Sequence, residues 1–156
     1  MSSSPATALR NRALRLLARR EHSRAELAAK LRGEAEPEML SALLDRLAET
    51  GLQSDARYAE SFVRSRAERH GVGRLRNELA RRGVAEALID DALTTLADEG
   101  GGDELARLRA VWQKKFGDKP QDAREWARQA RFLQSRGFTS ELIRKVLKEP
   151  FNDESA

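Results

Sequence analysis

Residues 79–93, LARRGVAEALIDDAL, decide the fold because the same arrangement returns twice in the chain. Residues 133–147 read LQSRGFTSELIRKVL, and residues 31–44 read LRGEAEPEMLSALL. Leu31, Leu79 and Leu133 each stand near the end of a short helical pattern, and a short connection follows. Beyond it come the apolar pairs Met39/Leu40, Leu88/Ile89 and Leu142/Ile143. Four residues later follow Leu43/Leu44, Ala92/Leu93 and Val146/Leu147. A four-residue step is one helical turn, so each pair continues a single face. A recurrence at a period of about 50 residues is the mark of a helical repeat array.

Upstream of each anchor lies one more helix, carried by Leu9/Ala13/Leu16/Leu17, Tyr58/Phe62/Val63 and Leu105/Leu108/Val111/Trp112. Nowhere does apolar and polar alternation persist as a strand requires. The expectation is an all-α chain of about nine helices, of about 15 residues each, in three three-helix (helix-turn-helix-like) modules spanning 5–52, 53–100 and 103–150, elongated and curved. Boundary residues agree. Ser4-Pro5 and Pro37 start helices, Ser23-x-x-Glu26 is a capping box and Asp122-x-x-Glu125 resembles one. Ser54 or Asp55 starts the fourth helix and Thr139 or Ser140 the last, while Gly51, Gly83, Gly100 to Gly102 and Gly137 mark stops, the triglycine being the best hinge. The first module has no aromatic residue, whereas the third holds Trp112, Phe116, Trp126, Phe132 and Phe138, so the first is expected to be the least stable and most mobile.

Charged residues make up 35% of the 156 residues and the net charge is +4. There is no cysteine, which excludes disulfides, thiolate metal sites and cysteine nucleophiles. No apolar run is long enough to span a bilayer and the N-terminal stretch lacks a secretory pattern, so a cytoplasmic protein is expected. The charge is unevenly placed. Residues 57–82 hold eight arginines against three acids, and residues 83–104 hold seven acids with no Lys or Arg. Either the acidic helix neutralises the basic ones, or a basic surface awaits an anionic partner.

Helical angles place Arg74, Asn77 and Arg81 opposite the Leu75/Leu79 stripe. They place Arg124, Arg128, Arg131 and Ser135 opposite Trp126, Ala130 and Leu133. Aligned on the leucines, Arg74 matches Arg128 and Arg82 matches Arg136. Two parallel basic ridges, with Arg57 and Arg64 adjoining, suit a polyanion or an acidic protein groove. Arg66 instead falls within the Tyr58/Phe62 stripe, where its stem covers apolar surface and its head meets carbonyls or a carboxylate. His22 and His70 each precede a helix start and are read as ordinary surface residues. Asp90 and Asp91 are adjacent and diverge on a helix, so they form no acid–base pair. No catalytic residue, metal site or cofactor is expected.

The string GLQSDARYAESFVRSRAERHGVGRLRNELARRGV, residues 51–84, resembles the signature of the RecX family, bacterial regulators of the RecA recombinase. SRAELAAKL before it and FLQSRGFTSELIRKVL after it resemble the flanking modules, so the likeness covers about residues 8–149. One departure is visible. The connection after Leu31 is one residue shorter than its counterparts and lacks their Arg-Gly-apolar ending. The resemblance implies tandem three-helix repeats and a function by binding. Such proteins settle in the groove of the RecA filament on DNA and restrain strand exchange, ATP hydrolysis and coprotease activity, and with them DNA repair, recombination and the SOS response. The partners so implied are the RecA filament and, weakly and without sequence preference, single- or double-stranded DNA, met by a monomer. Two other classes remain open: an autonomous DNA-binding helical module, and a scaffold for some other protein.

Overall fold

In the computed structural model of the chain, the described residues are 4–101 and 103–148. They form nine α-helices and no strand: α1 (Pro5–Arg19), α2 (Arg24–Leu31), α3 (Pro37–Glu49), α4 (Asp55–Arg66), α5 (Val72–Arg81), α6 (Glu86–Leu96), α7 (Glu104–Lys115), α8 (Ala123–Ser135) and α9 (Ser140–Leu147). A π-turn, Ala97–Gly101, extends α6. Gly100 and Gly101 end that turn, while Gly102, the third residue of the expected hinge, lies outside the described residues, as do Glu149 and Pro150 at the end of the third module. The helices run from 8 residues in α2 to 15 in α1, so all but α1 are shorter than expected. The difference arises because each is terminated by local chemistry.

The helix starts are made as the local residues dictate. Ser4 Oγ accepts the Thr7 amide at 3.1 Å, and Thr139 Oγ1 accepts that of Leu142 at 3.3 Å. Ser23 and Glu26 complete a reciprocal capping box. At α8 only half a box forms. Asp122 accepts the Glu125 amide at 2.8 Å, but the Glu125 carboxylate turns to Arg128. Ser54 Oγ accepts the Arg57 amide at 3.1 Å, so Ser54 is the N-cap of α4 and Asp55 is freed for another role.

The stops of α5 and α8 are the same motif. Gly83 and Gly137 adopt φ of 82° and 95°. Their amides bond Ala80 O and Gln134 O, and the next amides, of Val84 and Phe138, reach back to Leu79 O and Leu133 O. This is the Schellman closure, with the following apolar residue folded onto the helix end. Val84 and Phe138 are accordingly buried. The loop after α2 lacks the Arg-Gly-apolar ending and closes differently, with Glu34 N bonding Leu31 O.

The chain divides into two compact units, residues 4–62 with 79–92, and 63–78 with 93–148, so α4, α5 and α6 each contribute to both. In the first unit Leu9, Ala13, Leu27, Leu31, Leu44 and Leu47 form an aliphatic cluster. Each fully buried leucine contributes roughly 1.5–3 kcal/mol. Beside this cluster His22, Ser23 and Gln53 are buried, which corrects the surface role expected for His22. His22 Nε2 meets Lys30 Nζ at 3.2 Å and His22 Nδ1 meets Arg20 O at 3.0 Å, while Gln53 Nε2 donates to His22 O. A histidine adjoining a helix start reads as exposed in sequence, but here the following capping box is itself covered.

In the second unit the cluster comprises Leu108, Val111, Trp112, Leu133, Phe138, Ile143, Val146 and Leu147, with Phe116, Trp126 and Phe132 packed on it. The expected stripe of α8, Trp126, Ala130 and Leu133, packs on this cluster, and Gln129 joins it. Gln129 and Leu133 are its buried residues, and Ala130 is only half-buried. A buried amide is stable only when bonded. Gln129 Oε1 accepts Trp112 Nε1–H at 2.8 Å and its Nε2 donates to Asp118 O at 3.1 Å.

Candidate macromolecular interface

The second helices of the first two repeats, α2 and α5, each have a start held by the repeat that follows. In the first unit Ser23 Oγ donates to Arg82 O at 2.8 Å, and the Arg24 amide donates to Asp55 Oδ1 at 2.8 Å. In the second unit the Gly71 amide donates to Arg136 O at 2.7 Å and the Gly73 amide to Gly137 O at 3.1 Å. There the Val72 amide donates to Glu104 Oε1 at 3.0 Å. Arg24 and Val72 occupy equivalent positions, seven residues before Leu31 and Leu79, and Asp55 and Glu104 each open the first helix of the following repeat. One stacking geometry is therefore used twice. It also brings the Arg74 side chain to the end of α8, where Nη1 lies 3.5 Å from Ser135 O.

Of the seven arginines expected at the interface, Arg57 and Arg81 belong to the first unit and Arg64, Arg74, Arg124, Arg128 and Arg131 to the second. Arg57 is exposed and pairs with Glu21 at 2.9 Å. Arg64, near the end of α4, makes a fork with Glu99, at 2.9 and 3.1 Å, and so neutralises part of the acidic π-turn. Arg66 is half-buried, with Nε 3.9 Å from Glu78 Oε2 and Nη1 donating to Ser65 Oγ, as its place in the stripe requires. Arg74 also pairs with Glu78, at 3.1 Å. The exposed Arg64–Glu99 pair contributes about 0–1 kcal/mol, so it orients the side chains more than it stabilises the fold.

On α8, Arg124, Arg128 and Arg131 are exposed on successive turns. Arg128 is bound to Glu125 at 2.6 and 3.0 Å and its guanidinium lies 5.2 Å from the Phe116 ring centre. Hydrogen bonds from Arg128 and Gln129 hold the Glu125 carboxyl below the usual carboxylate range. Among the described residues, Arg81, Arg124 and Arg131 enter no ion pair. Local periodicity located the exposed arginines but not Arg74, which is half-buried against Glu78 and the end of α8, and the acidic partners Glu21 and Glu99, 36 and 35 residues from Arg57 and Arg64, carried no local signal. No group of three or more His, Asp or Glu able to hold a metal occurs among the described residues. Nor is any of their helices long and apolar enough to cross a membrane.

The sequence matches three family models in succession: the first three-helix domain of RecX over residues 10–47, the second over 54–93 and the third over 102–147. The regulatory protein RecX of Leptothrix cholodnii is 49% identical over 148 residues, covering 94% of this chain and 92% of the relative. That of Pseudomonas fluorescens SBW25 is 51% identical over 143 residues, covering 90% of each. Among solved structures, a RecX from Lactobacillus salivarius superposes with a TM-score of 0.71 at 21% identity, covering 92% of this chain and 95% of that one. A second, a regulatory protein RecX, gives 0.74 at 24% identity, covering 92% and 73%.

Proposed function

The chain belongs to the RecX family of regulatory proteins, and from that premise we propose that it is a non-catalytic negative regulator of RecA. It binds the groove of the RecA nucleoprotein filament and lowers recombinase, ATPase and coprotease activity, acting as a cytoplasmic monomer. The observation that carries the reading is the uninterrupted succession of three family domains in order along the chain. Arg124 and Arg131, exposed on one face of α8 and without ion-pair partners among the described residues, support contact with a polyanion. Arg81 supports it from the first unit. Arg57, Arg64, Arg74 and Arg128 already hold carboxylates, so their contribution requires exchanging one anion for another.

The test is DNA-dependent ATP hydrolysis by the cognate RecA, titrated with this protein from far below equimolar, beside an Arg124→Glu/Arg131→Glu variant and a control without RecA. Substoichiometric inhibition by the natural chain, with inhibition weakened about tenfold or more in the variant at unchanged helicity, supports the reading. Absence of inhibition, with DNA retained in the control, transfers the case to an autonomous DNA-binding module.

A further inference from the structure

A groove of about 1020 Å³ opens within the second unit, on a different set of residues from the α8 ridge. Its apolar wall comprises Leu96, Val111, Phe132 and the exposed pair Ala106 and Ala110, one turn apart on α7. The two alanines leave the α7 backbone approachable along that wall. Six cations surround it: Arg64, Arg69, Arg107, Lys114, Lys115 and Arg136.

Two of these cations are fixed against the apolar wall. Lys115 Nζ lies 5.3 Å and Arg136 Cζ 4.8 Å from the centre of the Phe132 ring, and the Phe116 ring meets the same ring edge-on at 5.4 Å. Three carboxylates also line the groove, Glu68, Glu99 and Asp103. Glu99 is held by Arg64, and Asp103 Oδ1 accepts the Leu105 and Ala106 amides at the start of α7. Six cations against three carboxylates leave the groove net positive beside an apolar wall.

A phosphodiester chain matches this surface poorly. Its charge is continuous and would meet Glu68, and its backbone carries no apolar group to lie along the exposed Ala106 and Ala110. A polypeptide with carboxylates on either side of one bulky apolar residue satisfies both demands, placing the apolar group against Phe132 and the acids on the cations. We propose that this groove is the docking site for an acidic segment of a partner protein, anchored by one bulky apolar side chain. Such docking needs neither DNA nor a filament.

Fluorescence anisotropy of the full chain tests it with a labelled synthetic peptide of alternating Asp and Glu around one phenylalanine. An otherwise identical peptide with alanine at the centre and an oligothymidylate of matched charge are the comparison probes. The phenylalanine peptide should bind most tightly. Its affinity should fall roughly tenfold or more in Lys114→Glu/Lys115→Glu and in Ala110→Trp, which fills the groove without altering charge. Circular dichroism confirms that both variants remain helical, since all three positions are exposed. Failure of the peptide to bind, or equal binding by both variants, overturns the assignment. Oligothymidylate binding that is lost in the same variants, without peptide binding, makes the groove a nucleic-acid site instead. The assay contains no RecA, so its failure would leave the filament reading standing.

Discussion

Asp55 caps a helix that is not its own: its Oδ1 accepts the Arg24 amide at 2.8 Å, at the first residue of α2, and also the Gln53 amide group at 2.9 Å. Glu104 does the same for Val72 at the head of α5. An uncapped helix start costs about 0.5–2 kcal/mol. Asp55→Ala and Glu104→Ala should each lower the free energy of unfolding by about that amount, read as a fall in the urea midpoint, with Asp55→Ala the more damaging because it also deprives Gln53. Asp55→Asn and Glu104→Gln keep an acceptor oxygen and should restore most of the loss. Equal stability of the alanine variants and the natural chain would remove these contacts from any structural role.

The glycines that end α5 and α8 are bound by two demands at once. A β-carbon on Gly83 would lie 2.5 Å from Ala25 Cβ, and one on Gly137 would overlap the Arg74 backbone. Gly33, at φ 85°, has open space around it. Gly33→Ala should therefore cost only the left-handed backbone penalty, roughly 1–2 kcal/mol. Gly83→Ala and Gly137→Ala should cost more, and thermal melts of the three variants should rank in that order.

Acid should weaken the fold through His22. Burial lowers its pKa below the ordinary 6.5, with the charges of Arg20 and Lys30 acting in the same direction and the Arg20 carbonyl opposing. Its contacts require the neutral ring, Nδ1 donating to Arg20 O and Nε2 accepting from Lys30. The unfolded chain then takes up the proton first, so the stability is complete above about pH 6.5 and declines as pH falls toward the folded value. His70 is shifted in the same direction, chiefly by burial. Urea midpoints followed from about pH 8 down to about pH 5 should fall, and fall less steeply in His22→Gln. An unchanged slope in that variant would exclude His22 as a source.

Amide exchange should be fastest in α1 to α3. Their cluster is leucine and alanine, whereas the second unit buries Trp112 and Phe138 and packs Phe116, Trp126 and Phe132 around them. Larger aromatic burial raises the local cost of opening. Uniform protection across the nine helices would contradict this ranking.

Much of the architecture was legible because repeats and caps are local signals. The Leu31, Leu79 and Leu133 anchors, the Ser23–Glu26 box and the Arg-Gly-apolar stops involve residues within one or two turns of each other. The α8 face was read less well. Counting apolar residues selected Trp126, Ala130 and Leu133, which pack on the core, but passed over Gln129, which is buried with its amide oxygen bonded to Trp112, 17 residues earlier. Likewise a histidine before a helix was read as exposed, and Gln53, 31 residues away, helps to cover it.

The sequence by itself determined which segments are helical, where they start and stop, that they recur three times and that the α8 arginines point outward. Those outcomes depend on backbone hydrogen bonds and angles spanning about one turn. Only the tertiary structure decided which carboxylates meet Arg57 and Arg64, that Asp55 and Glu104 cap helices of the preceding repeat, and that Lys115 comes to lie over Phe132. The physical reason is distance: these contacts act between groups that folding brings to within a few ångströms, and their separation along the chain carries no information about it.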